Sequence, residues 1–311
     1  MTTWGLSATI KAPTPDILRF AAYHLEQGAH RLYLYLDDPE SDAFNALKLH
    51  PEIRPTRCDD GWWNGKRPKR HQVRQSQNAT HAYGRANDID WLIHMDVDEF
   101  LVWDGVSGRV SDKLSDLPTE QMTARIRPME QLAGEGKHFK AFIPPGPDRT
   151  RIVADLYPTY GNFLKGGFLS HLAGKVFVRT GLPSIRVQIH NVFQEGEMLK
   201  GPDDTPGITL AHCHAPSWEA WLSAYRFRME QGSYRPDLGP NRPREQGGMS
   251  MHELFRAIEA EGGETALRAF FDEVCADSPG LRGRLARHGL LRHADLDLNT
   301  TMKKHFPQGG G

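Results

Sequence analysis

Residues 31–36, RLYLYL, carry apolar or aromatic side chains on both alternating faces. A strand with one face in water would alternate with polar residues, so this run predicts an interior strand of a parallel sheet, covered on both sides. It ends in Asp37-Asp38-Pro39, which sets carboxylates at the strand's C-terminal end. Upstream, 6–10 suits a short strand, and Ala12-Pro13-Thr14-Pro15 closes it, with Thr14 expected to cap a helix that has Pro15 at its first position. Ile17, Phe20, Ala21 and Leu25 then recur at helical spacing, and Gly28 supplies a stop. The same grammar repeats downstream as a helix over 42–49, a strand over 52–58, a helix over 72–86 and a strand over 91–95. Such alternation predicts an α/β/α sandwich with a mostly parallel central sheet, whose ligands bind beyond the strand C-termini.

The pattern changes after residue 123. Strand-like pieces (ARIRPM, KVFVRT, IRVQIHNV) alternate with Gly- and Pro-rich loops as far as 192. From Ser217, which is placed to cap a helix, helical signals return in SWEAWLSAYRFRMEQG and in SMHELFRAIEAEGG, where Ser250 and Glu253 are spaced as a capping box, and again over 264–276. The intervening YRPDLGPNRPREQGG reads as a surface loop suited to a lid. The expected organisation is a nucleotide-binding and catalytic domain over 1–215, a helical C-terminal extension over 216–305 and a flexible tail over 306–311.

Net charge of −1 and a pI near 7.0 give no global attraction to nucleic acid or to an anionic membrane, so phosphate recognition has to come from a local site. Cys58, Cys213 and Cys275 lie too far apart in sequence for a CxxC metal pair or a disulfide framework, which fits a reducing cytoplasm. No stretch approaches the length of an apolar membrane span. The expectation is a cytoplasmic protein, with peripheral contact at the inner membrane face left open.

One segment dominates the chemistry. In Asp90-Trp91-Leu92-Ile93-His94-Met95-Asp96-Val97-Asp98-Glu99 a hydrophobic strand runs straight into three carboxylates within four positions. Acids crowded at a strand end repel one another unless a cation or hydrogen bonds offset the charge, and a hard divalent ion takes oxygen ligands of this kind. On extended chain Asp96 and Asp98 point the same way, so both can face one Mn²⁺ or Mg²⁺ ion, with a diphosphate completing the coordination. Solvation of the strand end is the alternative. The run GKRPKRHQVR at 65–74 is the concentrated basic patch, entering the helix that precedes this strand. Helix N-terminal amides with basic side chains suit phosphate, and Arg70 and Gln75 are the candidates there; a solvated basic loop is the alternative. His190, His212 and His214 are candidate metal ligands among 15 histidines, against the commoner packed histidine.

The stretches ATIKAPTPDILRFAAYHLEQGAHRLYLYLDDPE, DIDWLIHMDVDEFL, GKVFVRT with IHNV, and HCHAPSWEAWLSAYRFR resemble a bacterial branch of family-2-type glycosyltransferases with the GT-A fold. The first two are the specific ones. The resemblance implies a UDP- or GDP-type nucleotide-sugar donor, a Mn²⁺ or Mg²⁺ ion on Asp96 and Asp98, and hexosyl transfer, inverting in type, to a glycan or lipid-linked acceptor in surface polysaccharide or glycan synthesis. It also implies a metal ligand at His212, donor contacts at Thr9, Lys11 and Lys175, and ribose or base contacts at Asp37 and Asp38, where a turn-forming Asp-Asp-Pro is the alternative. Ala12-Pro13 stands where many relatives carry an acid. An inverting transfer needs a carboxylate base for the acceptor hydroxyl, and Glu99, Asp203 and Asp204 are the candidates.

Two other classes compete with this reading. A metal-dependent hydrolase would use His190, His212 and His214 with Asp96 and Asp98 around a transition metal. A non-catalytic glycan- or nucleic-acid-binding module would use the basic run with Trp62 and Trp63; neutral charge and the lack of a nucleic-acid motif count against nucleic acid.

Overall fold

A computed structural model describes residues 1–103, 108–230, 232, 234–240 and 244–307. The end of the tail expected over 306–311 and part of the loop expected as a lid, at 241–243, lie outside the described residues. In chain order the first half holds β1 (Trp4–Ile10), α1 (Thr14–Glu26), β2 (Arg31–Leu36), α2 (Ala43–Lys48), β3 (Ile53–Arg57), α3 (Asp60–Trp63), α4 (His71–Arg85), β4 (Trp91–His94), β5 (Glu99–Trp103), α5 (Val110–Ser115) and β6 (Thr123–Ile126). Then come β7 (Pro128–Gln131), β8 (His138–Ala141), α6 (Arg149–Leu156), β9 (Lys175–Arg179), β10 (Ile185–Val187), β11 (Val192–Gln194), β12 (Glu197–Met198) and β13 (Ile208–His212). The remainder is α7 (Trp218–Glu230), α8 (Met251–Val274), α9 (Pro279–Arg287), β14 (Leu291–His293) and α10 (Leu298–His305).

The chain forms two compact units, Met1–Arg127 with Ala173–Leu210 and Leu296–Gly311, and Pro128–Leu172 with Ala211–Asp295. The expected boundary at 215 thus falls near one of four crossings, while 128–172 joins the helical region and α10 returns to the first unit.

In the first unit a six-stranded sheet runs in the order β3-β2-β1-β4-β9-β6. β3, β2, β1 and β4 are mutually parallel, and β9 pairs antiparallel with both β4 and β6. This is the mixed α/β fold expected, with the central parallel strands buried on both faces: every residue of β1 and β4 is buried. The cap of α1 differs from the expectation. Pro13 occupies the N-cap with no side-chain bond and Thr14 is already helical, because proline presets the turn without needing a hydroxyl.

In the second unit β7 and β8 pair antiparallel, with Met129 opposite Ala141, and β14 adds to β8 with Arg292 opposite Phe139. An aromatic core centred on Trp221, Tyr225, Phe255, Phe270 and Phe271 packs α7 and α8. The Ser217 and Ser250 caps form as expected, with Ser217 Oγ accepting from the Ala220 amide at 3.1 Å and Ser250 and Glu253 closing a capping box.

Candidate active site

In the first unit the strand order reverses between β1 and β4: β2 and β3 lie to one side of β1, and β4 to the other. Crevices outside the carboxyl ends of strands at such a switch point are where open α/β sheets take ligands. The carboxyl end of β4 leads into Asp96-Val97-Asp98-Glu99, and that of β2 into Asp37.

The Asp96–Asp98 segment is not extended. The Glu99 amide donates to the Asp96 carbonyl at 3.1 Å, closing a tight turn, and Glu99 Oε2 accepts the Asp96 amide at 2.8 Å. The expectation that the two aspartates share a face by strand alternation is therefore corrected, because the strand has already ended at His94. Lys175, the first residue of β9, is fully buried, and its Nζ lies 2.6 Å from Asp96 Oδ2 and 3.2 Å from Glu99 Oε2. Burial alone would lower the ammonium, but Asp96 and Glu99 outweigh it and hold its pKa above the ordinary lysine value. Gln75, buried on α4, donates from Nε2 to Asp96 Oδ1. His94 is buried one strand position pair before the turn, and burial, then Lys175, push it down to about 3, so it is neutral.

Part of the charge that the sequence suggested a metal must offset is thus met by a lysine of the same unit. Glu99, fully buried and paired to Lys175, holds the turn rather than facing an acceptor. Asp98 is half-buried at the turn's apex. Of the two aspartates, Asp98 is the one that could take a divalent ion directly, since an ion seated on Asp96 would stand against the Lys175 ammonium.

The end of β2 is a second polar centre. Asp37, buried, accepts from Arg74 Nε at 2.8 Å and Nη2 at 2.7 Å and from Arg67 Nη2 at 2.9 Å, with His71 Nδ1 at 3.4 Å. Burial would raise its carboxyl, but His71, Arg74 and Arg67 override it and hold the pKa well below the usual carboxylate range. The basic run is thereby folded onto the sheet. Arg67 and Arg74 are the residues the sequence reading missed; Arg74 sits one helical turn after His71, an i,i+3 pair that faces one way on the first turn of α4. Arg70 itself is exposed at the N-cap of α4 with no side-chain cap bond. Asp38 is exposed and accepts the Glu40 amide at 3.1 Å, a local turn.

Thr9 on β1 is buried, and its Oγ1 accepts from Asn78 Nδ2 at 3.0 Å, while Asn78 Oδ1 accepts from Trp62 Nε1 at 3.1 Å. Trp63 Nε1 donates to the Cys58 carbonyl at 3.2 Å. Both tryptophans therefore anchor α3 instead of forming a stacking platform. Lys11 is exposed just past β1. Asp203 is almost fully exposed with Oδ1 3.8 Å from Arg127 Nη2, and Asp204 accepts the Thr205 amide at 2.8 Å.

In the second unit three histidines gather. The ring centroids of His171 and His212 lie 5.3 Å apart and those of His212 and His214 5.2 Å. His171 was not among the expected ligands, because nothing in HLAGK marks it locally. His190 belongs to the first unit, where Nδ1 meets the Gly174 carbonyl at 2.9 Å. Near His214, Glu130 forms a buried 2.7 Å pair with Lys140; burial would raise this carboxyl, but Lys140 and then His214 bring it down to about 2.

No family model and no curated protein matches the chain. Among solved structures it is similar to HddC from Yersinia pseudotuberculosis, at 11% identity over 58% of this chain and 77% of that one, with a TM-score of 0.31. A likeness of that depth carries no functional argument. Among the described residues, no helix is long and apolar enough to cross a membrane.

Proposed function

We propose that this protein is a metal-dependent glycosyltransferase that draws a sugar from a UDP- or GDP-type donor, with Mn²⁺ or Mg²⁺ held at Asp98 and, through water, at Asp96. The observation that carries the reading is the acidic turn at the carboxyl end of β4, beside the point where the strand order reverses and braced by Lys175 and Gln75. When bound there, the ion supplies a positive charge against the leaving diphosphate. The chain's own part is to fix the turn: Glu99 holds its backbone, and Lys175 and Gln75 set the Asp96 carboxylate. Of the three carboxylates weighed as base, Asp203 and Asp204 keep the exposure an acceptor requires. His212 enters as a further ligand on the sequence resemblance and on the spacing of the His212–His214 pair.

Calorimetric titration of UDP and GDP with and without Mn²⁺ tests the proposal. Asp98→Ala is expected to weaken Mn²⁺-dependent binding by more than the roughly 10–100-fold that loss of an outer-shell partner costs, while the protein stays folded. His212→Ala is expected to weaken it as well. Unchanged affinity in Asp98→Ala would remove the reading.

The neighbouring rings of His171, His212 and His214 motivate one competitor, a hydrolase built on a transition metal. That reading gains if Zn²⁺ binds with no nucleotide dependence and His171→Ala abolishes its binding.

A further inference from the structure

The first unit carries a second cleft, of about 240 Å³, lined by Thr123 and Arg125 of β6, Val176 of β9 and the segment from Met198 to Asp203. It lies on the sheet face opposite the one Lys175 uses, because Val176 follows Lys175 in the strand and alternate residues point apart. Its size suits a small ligand or the end group of a larger one.

The polar groups in this cleft are unbalanced in charge. Arg125 Nη1 donates to the Ala173 and His190 carbonyls at 2.8 and 3.0 Å, and Nη2 donates to Asn191 Oδ1 at 2.8 Å. These are neutral acceptors; among the described residues no carboxylate pairs with this half-buried guanidinium. Burial first, and the neighbouring Arg127 second, push it down from its ordinary value, with Asp203 the one group pulling the other way. Lys200 is exposed on the cleft and makes no ion pair among the described residues. Asp203, 3.8 Å from Arg127, is the one acid lining it.

Thr123 supplies the second, independent sign. It is 3% exposed, it lines the cleft, and its hydroxyl makes no hydrogen bond among the described residues. That hydroxyl is not closed off from solvent, so a ligand in the cleft can meet it. The wall above it is closely built: a Cβ on Gly201 would come within 2.2 Å of Thr123 Oγ1, so the loop can pass over β6 only as glycine. Val176, Met198 and Leu199 give the cleft an apolar side against which a ring or short chain can rest.

We propose that this cleft binds a small oxyanion, a carboxylate or a phosphate monoester carried on a compact body such as a sugar ring, with Thr123 Oγ1 and Lys200 Nζ donating to it and Arg125 supplying the uncompensated charge. The proposal needs neither glycosyl transfer nor the metal at the acidic turn, although Asp203, a candidate acceptor base, borders the same cleft.

Titration of the full chain in EDTA with inorganic phosphate and with glucuronate, against glucose as the neutral control, tests it. At least one oxyanion is expected to bind and glucose not; phosphate alone would assign the phosphate class and glucuronate alone the carboxylate class. Lys200→Ala and the near-isosteric Thr123→Val are each expected to weaken binding about tenfold, with unchanged thermal unfolding. Asp98→Ala is expected to leave it intact. Absence of oxyanion binding, wild-type-like affinity in both cleft variants, or loss in Asp98→Ala with retention in Lys200→Ala would overturn the proposal.

Discussion

At Asp96 and Glu99 the repulsion between neighbouring acids is met by Lys175, 79 residues further along the chain from Asp96. Removing one member of such a buried set leaves the others unpaired, which costs far more than the set contributes. Lys175→Met is therefore expected to destabilise the protein by about 3–5 kcal/mol in urea unfolding, and Lys175→Met with Glu99→Gln by less. His24 sets a pH limit of another kind. It lies buried on α1 with its ring stacked 5.8 Å from Phe100, and burial pushes its pKa from 6.5 to about 4 despite a bond to the Phe20 carbonyl. Between those values the unfolded chain binds a proton that the folded chain refuses. Its contribution is intact above pH 6.5 and is lost as pH falls toward 4, at about 1.4 kcal/mol per unit. Urea midpoints at pH 7 and pH 5 should show the loss, and His24→Leu should flatten the difference.

Among the elements, α8 is the one whose local sequence and structure agree most closely. Gly262-Gly263 interrupts it with non-helical backbone, and Gly263 sits at φ 57°, ψ −139°. Phe255 and Phe270, 15 residues apart, meet at a centroid distance of 4.9 Å, where a straight helix would separate them by roughly 22 Å. The two halves fold back on each other at the glycines. Gly263→Ala is expected to lower stability by about 1–3 kcal/mol in thermal unfolding, and Gly262→Ala, at negative φ, by less. The capping box, the glycine pair and the doubly apolar strands were legible because each signal is local. β7 and β8 were not, since Glu130 and Lys140 break the expected pattern of buried strands and become intelligible only as a pair. The same holds for the acidic turn: the sequence shows the acids crowded at the end of β4, but not that Lys175 answers them.

At the scale of the whole molecule the chain passes between the two units four times, so neither unit is a continuous stretch of sequence. Composition does not mark these crossings, and α10, eight residues long, carries no signal of where it docks. The structure places it on α1, where Lys304 Nζ reaches Glu26 at 2.7 Å and Arg19 donates to Asn299 at 2.9 Å. The helix that covers α1 thus lies about 280 residues further along the chain. During synthesis at roughly 5–20 residues per second, the N-terminal helix would wait on the order of 15–60 s for its cover. For that interval a nascent chain presents an unclosed surface to the cell, and its early life depends on whatever shields that surface until translation reaches α10.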